Sequence, residues 1–434
     1  MRIYKAHILY TPGPRSFEVV ENGYVAVDDK GRICGVSADR DTLGWPEAGV
    51  TDFGNKLLIP AMNDIHVHAP QYHNQGIAMD LELLPWLQSY TFPEEMRFSD
   101  TGYAERVYRR FIHHLWRVGT MRAVVFATIH TAATRRLMEL FDEAGMGAWV
   151  GKVAMDRNSP DGLTESVDGY VSGMEQLTKA YADPDGLVRP IVTPRFIPTC
   201  SPDLLRACAD MARRHRLPVQ SHLSENLSEI DLVHELEPDS RGYGDAYRRY
   251  GLFGETPTVM AHCVWSDAGE RRLMREGGVM VAHCPSSNFN VASGMAPARA
   301  FLDEGVAVGL GSDISAGHDL SIFRMMVYAI QVSKMHYQRC HDLPFLTLPE
   351  VFWMATKSGG SLFGKVGSFE PGYDFDALVI DDSELYPDEY TLTQRLERFV
   401  YTGDDRHIAH RFCRGRELCS GNYSVIFGKG QKLL

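Results

Sequence analysis

The sequence predicts an α/β protein: a metal-dependent (β/α)8 barrel of the TIM type, with a small β-sandwich built from both ends of the chain. Three observations predict it. Short apolar runs begin near Leu57, Met121, Trp149, Val188, Leu217, Thr258, Val279 and Val306, which is about the eight strands a closed barrel needs. Helical patterns alternate with them, at Thr101 to Val118, Ala133 to Ala144, Pro202 to His215 and Asp267 to Glu276, as repeated βα units around a parallel sheet require. Metal-type side chains end several of the runs, namely His66-Val67-His68, His222, His262 and Asp313. A doubly wound open sheet would spread such residues along an edge, whereas a barrel gathers them at one mouth.

Before the first of these runs, Gly23 to Val27 and Arg32 to Val36 flank Asp28-Asp29-Lys30-Gly31 and read as a β-hairpin with a glycine turn. After the last, Asp376 to Ile380, Arg398 to Tyr401 and His410 to Cys413 read as short strands that partner the hairpin. The expected organisation is therefore residues 1–57 and 365–434 as the two parts of the sandwich, with residues 58–364 as the barrel. At 434 residues and 44% hydrophobic content, the chain exceeds what one core organises and suits this division.

Composition excludes several function classes. A net charge of −12 disfavours a nucleic-acid groove, so any base handled here is expected as a free small molecule. Apolar stretches fall short of the ~20 residues that cross a bilayer, and Met1-Arg2-Ile3-Tyr4-Lys5 lacks a signal-peptide core. The expected location is the cytoplasm. The eight cysteines form no CxxC pair, which argues for reduced, packed thiols over disulfides or a cysteine zinc site.

Two histidines at i and i+2 on a strand share a face, so His66 and His68 are able to meet one ion. With His222 and Asp313 they make three imidazoles and a carboxylate, a donor set that suits one Zn²⁺ and leaves a position for water. Zinc lowers the pKa of bound water from ~15.7 towards ~7, which supplies hydroxide at neutral pH. Glu225, three residues beyond His222, is the expected proton shuttle, and His262 and Asp313 are expected to orient the water by hydrogen bonding. Among bland alternatives, His283 beside Cys284-Pro285 reads as packing, Asp64 as facing away from the histidines, and Gly309-Leu310-Gly311 as tight strand packing with no nucleotide loop.

His66-Val67-His68-Ala69-Pro70-Gln71, Trp86-Leu87, Tyr90-Thr91-Phe92-Pro93, Thr193-Pro194-Arg195-Phe196, Ser221 to Asn226, Met260-Ala261-His262, Ala282 to Asn288 and Gly309 to Asp313 together resemble the amidohydrolase superfamily, and within it the guanine deaminases. Asn63-Asp64 and Met121-Arg122 depart from the usual pattern, which touches packing more than chemistry. The resemblance implies attack at C2 of guanine with loss of ammonia, substrate contacts from Gln71, Arg195 and Phe196, and a homodimer. Arg195 carries only donors, so it favours the O6 acceptor of guanine over the amino group of adenine. Gln71 is expected to turn its amide either way, and Phe196 to offer a stacking face. Two other classes stay open: a hydrolase of a related heterocycle such as 8-oxoguanine, cytosine or a triazine, and a non-enzymatic scaffold of the same fold.

Overall fold

The computed structural model describes residues 1–341 and 343–419. The N-terminal part contributes β1 (Arg2–Gly13), β2 (Ser16–Val27), β3 (Ile33–Ser37) and β4 (Val50–Pro60). The central strands are β5 (Met62–His68), β6 (Thr120–Phe126), β7 (Gly147–Gly151), β8 (Val153–Ala154), β9 (Val188–Pro190), β10 (Thr193–Pro194), β11 (Val219–Leu223), β12 (Thr258–His262), β13 (Met280–His283) and β14 (Val308–Leu310). The chain closes with β15 (Ala377–Ile380), β16 (Ile408–Cys413) and β17 (Arg416–Glu417). The expected hairpin forms: Val27 pairs with Ile33, and Asp28 accepts from the amides of Lys30 and Arg32 across a turn in which Gly31 takes φ +80°.

Both ends of the chain meet in one seven-stranded sheet of order β17-β16-β15-β4-β1-β2-β3. Its alternation buries both faces. Leu57, Ile59, Leu378 and Ile380 join the main core, while Tyr4, Leu58, Phe375, Val379 and Phe412 form a separate cluster on the other face, where Tyr4 stacks on Phe375 at 4.9 Å.

The central strands are parallel, in the orders β5-β6-β7-β9 and β11-β12-β13-β14, with β8 beside β10. Two seams join the two four-stranded sheets. At one, Val192 N donates to Pro218 O and Gln220 N to Val192 O, both at 2.9 Å. At the other, Asp313 N donates to His66 O at 2.9 Å and His68 N to Ile314 O at 3.1 Å. Ile65, Val124, Trp149, Ile191, Val259, Ala261, Met280, Ala282 and Cys284 fill the space these strands enclose. The glycines before Asp313 serve close packing as expected: a Cβ on Gly309 would lie 2.7 Å from Ile65 Cδ1, and one on Gly311 2.9 Å from His66 Cβ.

Two sequence expectations need correction. The apolar run at Leu57 belongs to β4 of the terminal sheet, where Leu57–Pro60 pairs with β15; the first central strand starts at Met62, after Pro60. The run Arg398 to Tyr401 is not a strand but the end of a helix, Leu392–Thr402. Thr391 and Gln394 cap that helix reciprocally, and it buries Arg395, Leu396, Phe399 and Val400 at helical spacing.

Arg122, noted in the sequence only as a departure, pins the terminal sheet to β6. Its guanidinium donates to Asp376 at 2.5 Å and to Asp374 at 2.8 Å, with Arg122 and Asp376 both nearly fully buried. Removing one partner of a buried pair strands the other charge and costs about 3–5 kcal/mol. Arg122→Leu is therefore expected to lower the denaturant midpoint markedly, and Arg122→Leu with Asp376→Leu to recover much of the loss. Unchanged unfolding of the single variant would refute the assignment.

Candidate active site

Every sequence-nominated residue comes from the C-terminal end of a central strand or from the loop that follows it. His66 and His68 lie on β5, Gln71 in the turn Ala69–Asn74, Arg195 and Phe196 just after β10, His222 on β11 and Glu225 just beyond it, His262 at the end of β12, and Asp313 three residues past β14. All are buried. A single cavity is lined by His68, Gln71, Arg195, Phe196, His222, Glu225, His262 and Asp313 together with Leu83, Trp86, Leu87 and Ala316. His66 sits beneath it, with Nε2 3.2 Å from Asp313 Oδ1.

The donors converge. His68 Nε2 lies 3.4 Å from Asp313 Oδ1 and 3.2 Å from His222 Nε2. His262 Nε2 lies 3.5 Å from Glu225 and 3.8 Å from Asp313 Oδ2. Two groupings, His66 with His68 and Asp313, and His66 with His222 and His262, bring their donor atoms within 4.8 Å of one another. The fit to a metal rests on the ring nitrogens. His222 Nδ1 faces the carbonyl of Arg195 at 2.6 Å, and His262 Nδ1 faces Asn288 Oδ1 at 2.9 Å. Each Nδ1 therefore carries the proton, and each Nε2 turns a lone pair inward. His66 Nε2 is buried with no hydrogen-bond partner. Imidazole nitrogens gathered at 3.2 Å, beside a third without a hydrogen-bond partner, suit a shared cation.

The electrostatics agree. Burial, then the neighbouring imidazoles, hold His68 and His222 well below the usual histidine range, so both stay neutral. Burial raises the Asp313 carboxyl, but the close approach of His66 and His262, with a hydrogen bond from Ser287 at 2.5 Å, outweighs it and holds it at about 2. Glu225 goes the opposite way. Burial and the nearby Asp313 push its carboxyl well above the usual range, which favours the protonated form. Its position is fixed by Glu229, which accepts from the amides of Glu225 and Asn226 as the cap of helix Leu227–Leu236 and is itself held by Tyr243.

His283 is buried as expected but faces away from this cavity, towards an outer one lined by Arg271, Ala296 and Ser333. Asp64 was expected to face away from the histidines. Its spacing of two from His66 and four from His68 puts all three on one parity, and its carboxylate accepts from the amides of His66 and Ser312 and from Ser312 Oγ. Burial raises it to about 7. It braces the strands that carry the donors.

Sequence reading missed Ser287, Asn288 and Ser293, the last of which donates to Glu225 at 3.3 Å. Ser287 and Asn288 stood inside a quoted motif, but only the folded register reveals their partners. It also missed Glu95, which accepts from Arg195 at 2.7 Å and from Gln71 at 2.9 Å. Gln71 Oε1 in turn accepts from the amide of Ser315 at 3.2 Å, so its amide is held at both ends and does not turn freely as expected.

Known proteins resemble this chain over nearly its whole length. The guanine deaminase of Dictyostelium discoideum is 35% identical over 96% of this chain and 98% of its own length. A crystal structure of guanine deaminase from C. acetobutylicum, with bound guanine in the active site, is 48% identical with a TM-score of 0.94, covering 96% of this chain and 100% of the other. E. coli guanine deaminase is 29% identical with a TM-score of 0.89, over 96% and 99% of the two chains. The family profile described as the amidohydrolase family matches residues 57–418. The chain belongs to the amidohydrolase family, among its guanine deaminases.

Proposed function

We propose that this enzyme hydrolyses guanine to xanthine and ammonia with one zinc ion, held by His66, His68, His222 and Asp313. The observation that carries the reading is that one cavity is lined by His68, His222, Asp313, Glu225 and Arg195, with His66 against Asp313 beneath it. The guanine-bound relative and the near-full-length identity to guanine deaminases support the substrate.

Bound zinc lowers the pKa of its water towards ~7 and so supplies the nucleophile at neutral pH. The rest falls to side chains. Arg195 donates to O6 of guanine, Gln71 offers its remaining amide hydrogen, and Phe196 presents its ring to the purine. His262 and Asp313 direct the attacking oxygen to C2. Glu225 gives its proton to a ring nitrogen as the C2–O bond forms, then carries a proton from the attacking oxygen to the departing nitrogen as the C2–N bond breaks. Guanine and water become xanthine and ammonia with no redox change.

The two seams support a closed barrel of eight strands; the expected boundary at 57/58 falls inside β4, so the terminal unit extends to Pro60 and resumes near 365, and residues 420–434 of its expected range lie outside the described residues. No helix among the described residues is long and apolar enough to cross a membrane. The family resemblance supports a cytoplasmic homodimer.

Elemental analysis of purified protein is expected to find one zinc per chain, and His222→Ala to lose both metal and activity. Full metal with full activity in that variant refutes the ligand set. Glu225→Gln is expected to keep its zinc and lose at least ~10²-fold in kcat, the scale of general acid–base catalysis. Loss of metal in that variant reassigns Glu225 as a ligand.

A further inference from the structure

Glu95 lies on the short helix Phe92–Met96, far in sequence from Arg195. Its two carboxylate oxygens are divided between the two side chains assigned to read the purine: Oε2 accepts from Arg195 Nη1 at 2.7 Å, and Oε1 accepts from Gln71 Nε2 at 2.9 Å. Glu95 and Arg195 are almost fully buried. Their pairing uses one edge of the guanidinium and leaves its other N–H groups for the cavity. The ring of Phe92 lies 5.2 Å from the guanidinium carbon, which fixes the plane of the group as well as its edge.

The helix that presents Glu95 is itself anchored. The neighbouring Glu94 turns outward, accepts from Arg97 at 2.8 Å and is hydrogen-bonded by the Tyr103 hydroxyl. Adjacent carboxylates thus grip opposite sides, one holding the helix to the outer shell and the other holding the substrate-reading pair. A charged group needs this support. A buried guanidinium without a counter-charge is costly and free to reorient, whereas a paired one is aimed before substrate arrives.

We propose that Glu95 is the positioning residue that sets specificity at C6 of the purine, by aiming Arg195 and locking the amide of Gln71. This rests on the guanine reading above. Glu95 makes no contact with the reacting atoms; it acts through Arg195 and Gln71, so its loss falls on recognition of the 6-oxygen and not on the chemical step.

The test uses zinc-loaded enzyme and two ligands, guanine and 2-aminopurine, which keeps the 2-amino group and ring nitrogens but has no oxygen at C6. In Glu95→Gln the KM for guanine is expected to rise at least ~10-fold, the scale of mispairing a buried polar contact, with kcat within about 3-fold. The KM or inhibition constant of 2-aminopurine is expected to stay within about 3-fold, so the preference for guanine collapses. A second pair of variants separates positioning from folding. Arg195→Leu with Gln71→Ala removes both side chains through which Glu95 acts, and adding Glu95→Leu to that double variant is expected to leave its preference between the ligands unchanged. Equal losses for both ligands in Glu95→Gln, a fall in kcat at unchanged KM, or a further loss of preference in the triple variant would overturn the role of Glu95 while leaving the activity intact. Failure of the unaltered enzyme to release ammonia from guanine overturns the activity reading, and this assignment with it.

Discussion

The site depends on two backbone hydrogen bonds, Asp313 N to His66 O and His68 N to Ile314 O. They join the end of β5 to the segment beyond β14 and so bring three donor side chains from opposite ends of the central region within reach of one ion. Asp64 ties the same strands with its carboxylate. Gly309 and Gly311 let them approach closely, because any side chain there would strike Ile65 or His66. Backbone pairing sets positions to a fraction of an ångström, which long side chains alone do not achieve.

The ends of these strands carry an unusual backbone. Ser224, His262 and Asp313 take φ of 47°, 71° and 48°, the left-handed region that ordinary residues avoid at a cost of roughly 1–3 kcal/mol each. All three stand where a strand turns into its active-site loop. The surrounding hydrogen bonds over-determine these turns: Ser224 donates to Glu270, and His262 is held through Asn288. Stability is given up at the mouth and recovered in the core.

The donors were legible in the sequence because strands have a period of two and functional residues cluster where strands end. His66, His68, His222, His262 and Asp313 needed only that rule to be grouped. Helices with strong amphipathic spacing were legible for the same reason, and Pro202–His215 matches its expected limits. Arg398 to Tyr401 failed because a short apolar run carries too few residues to separate periods of 2 and 3.6, although Thr391 and Gln394 already held the cap signature. The Leu57 run was assigned to the wrong sheet because nothing local says which partner an apolar strand chooses. Arg122 and Glu95 were out of reach in another way. Each owes its role to a carboxylate or guanidinium a hundred or more residues distant, and one charged residue on its own looks like surface.

The terminal sheet sets an order of events in the cell. β4 sits between β1 and β15, yet β15 leaves the ribosome only after the whole central region has been made. At typical elongation rates that interval is on the order of tens of seconds. Throughout it, the apolar Leu57–Pro60 segment presents an unpaired strand edge, the kind that recruits foreign strands. The nascent chain therefore passes through a period of exposure that the finished enzyme never revisits.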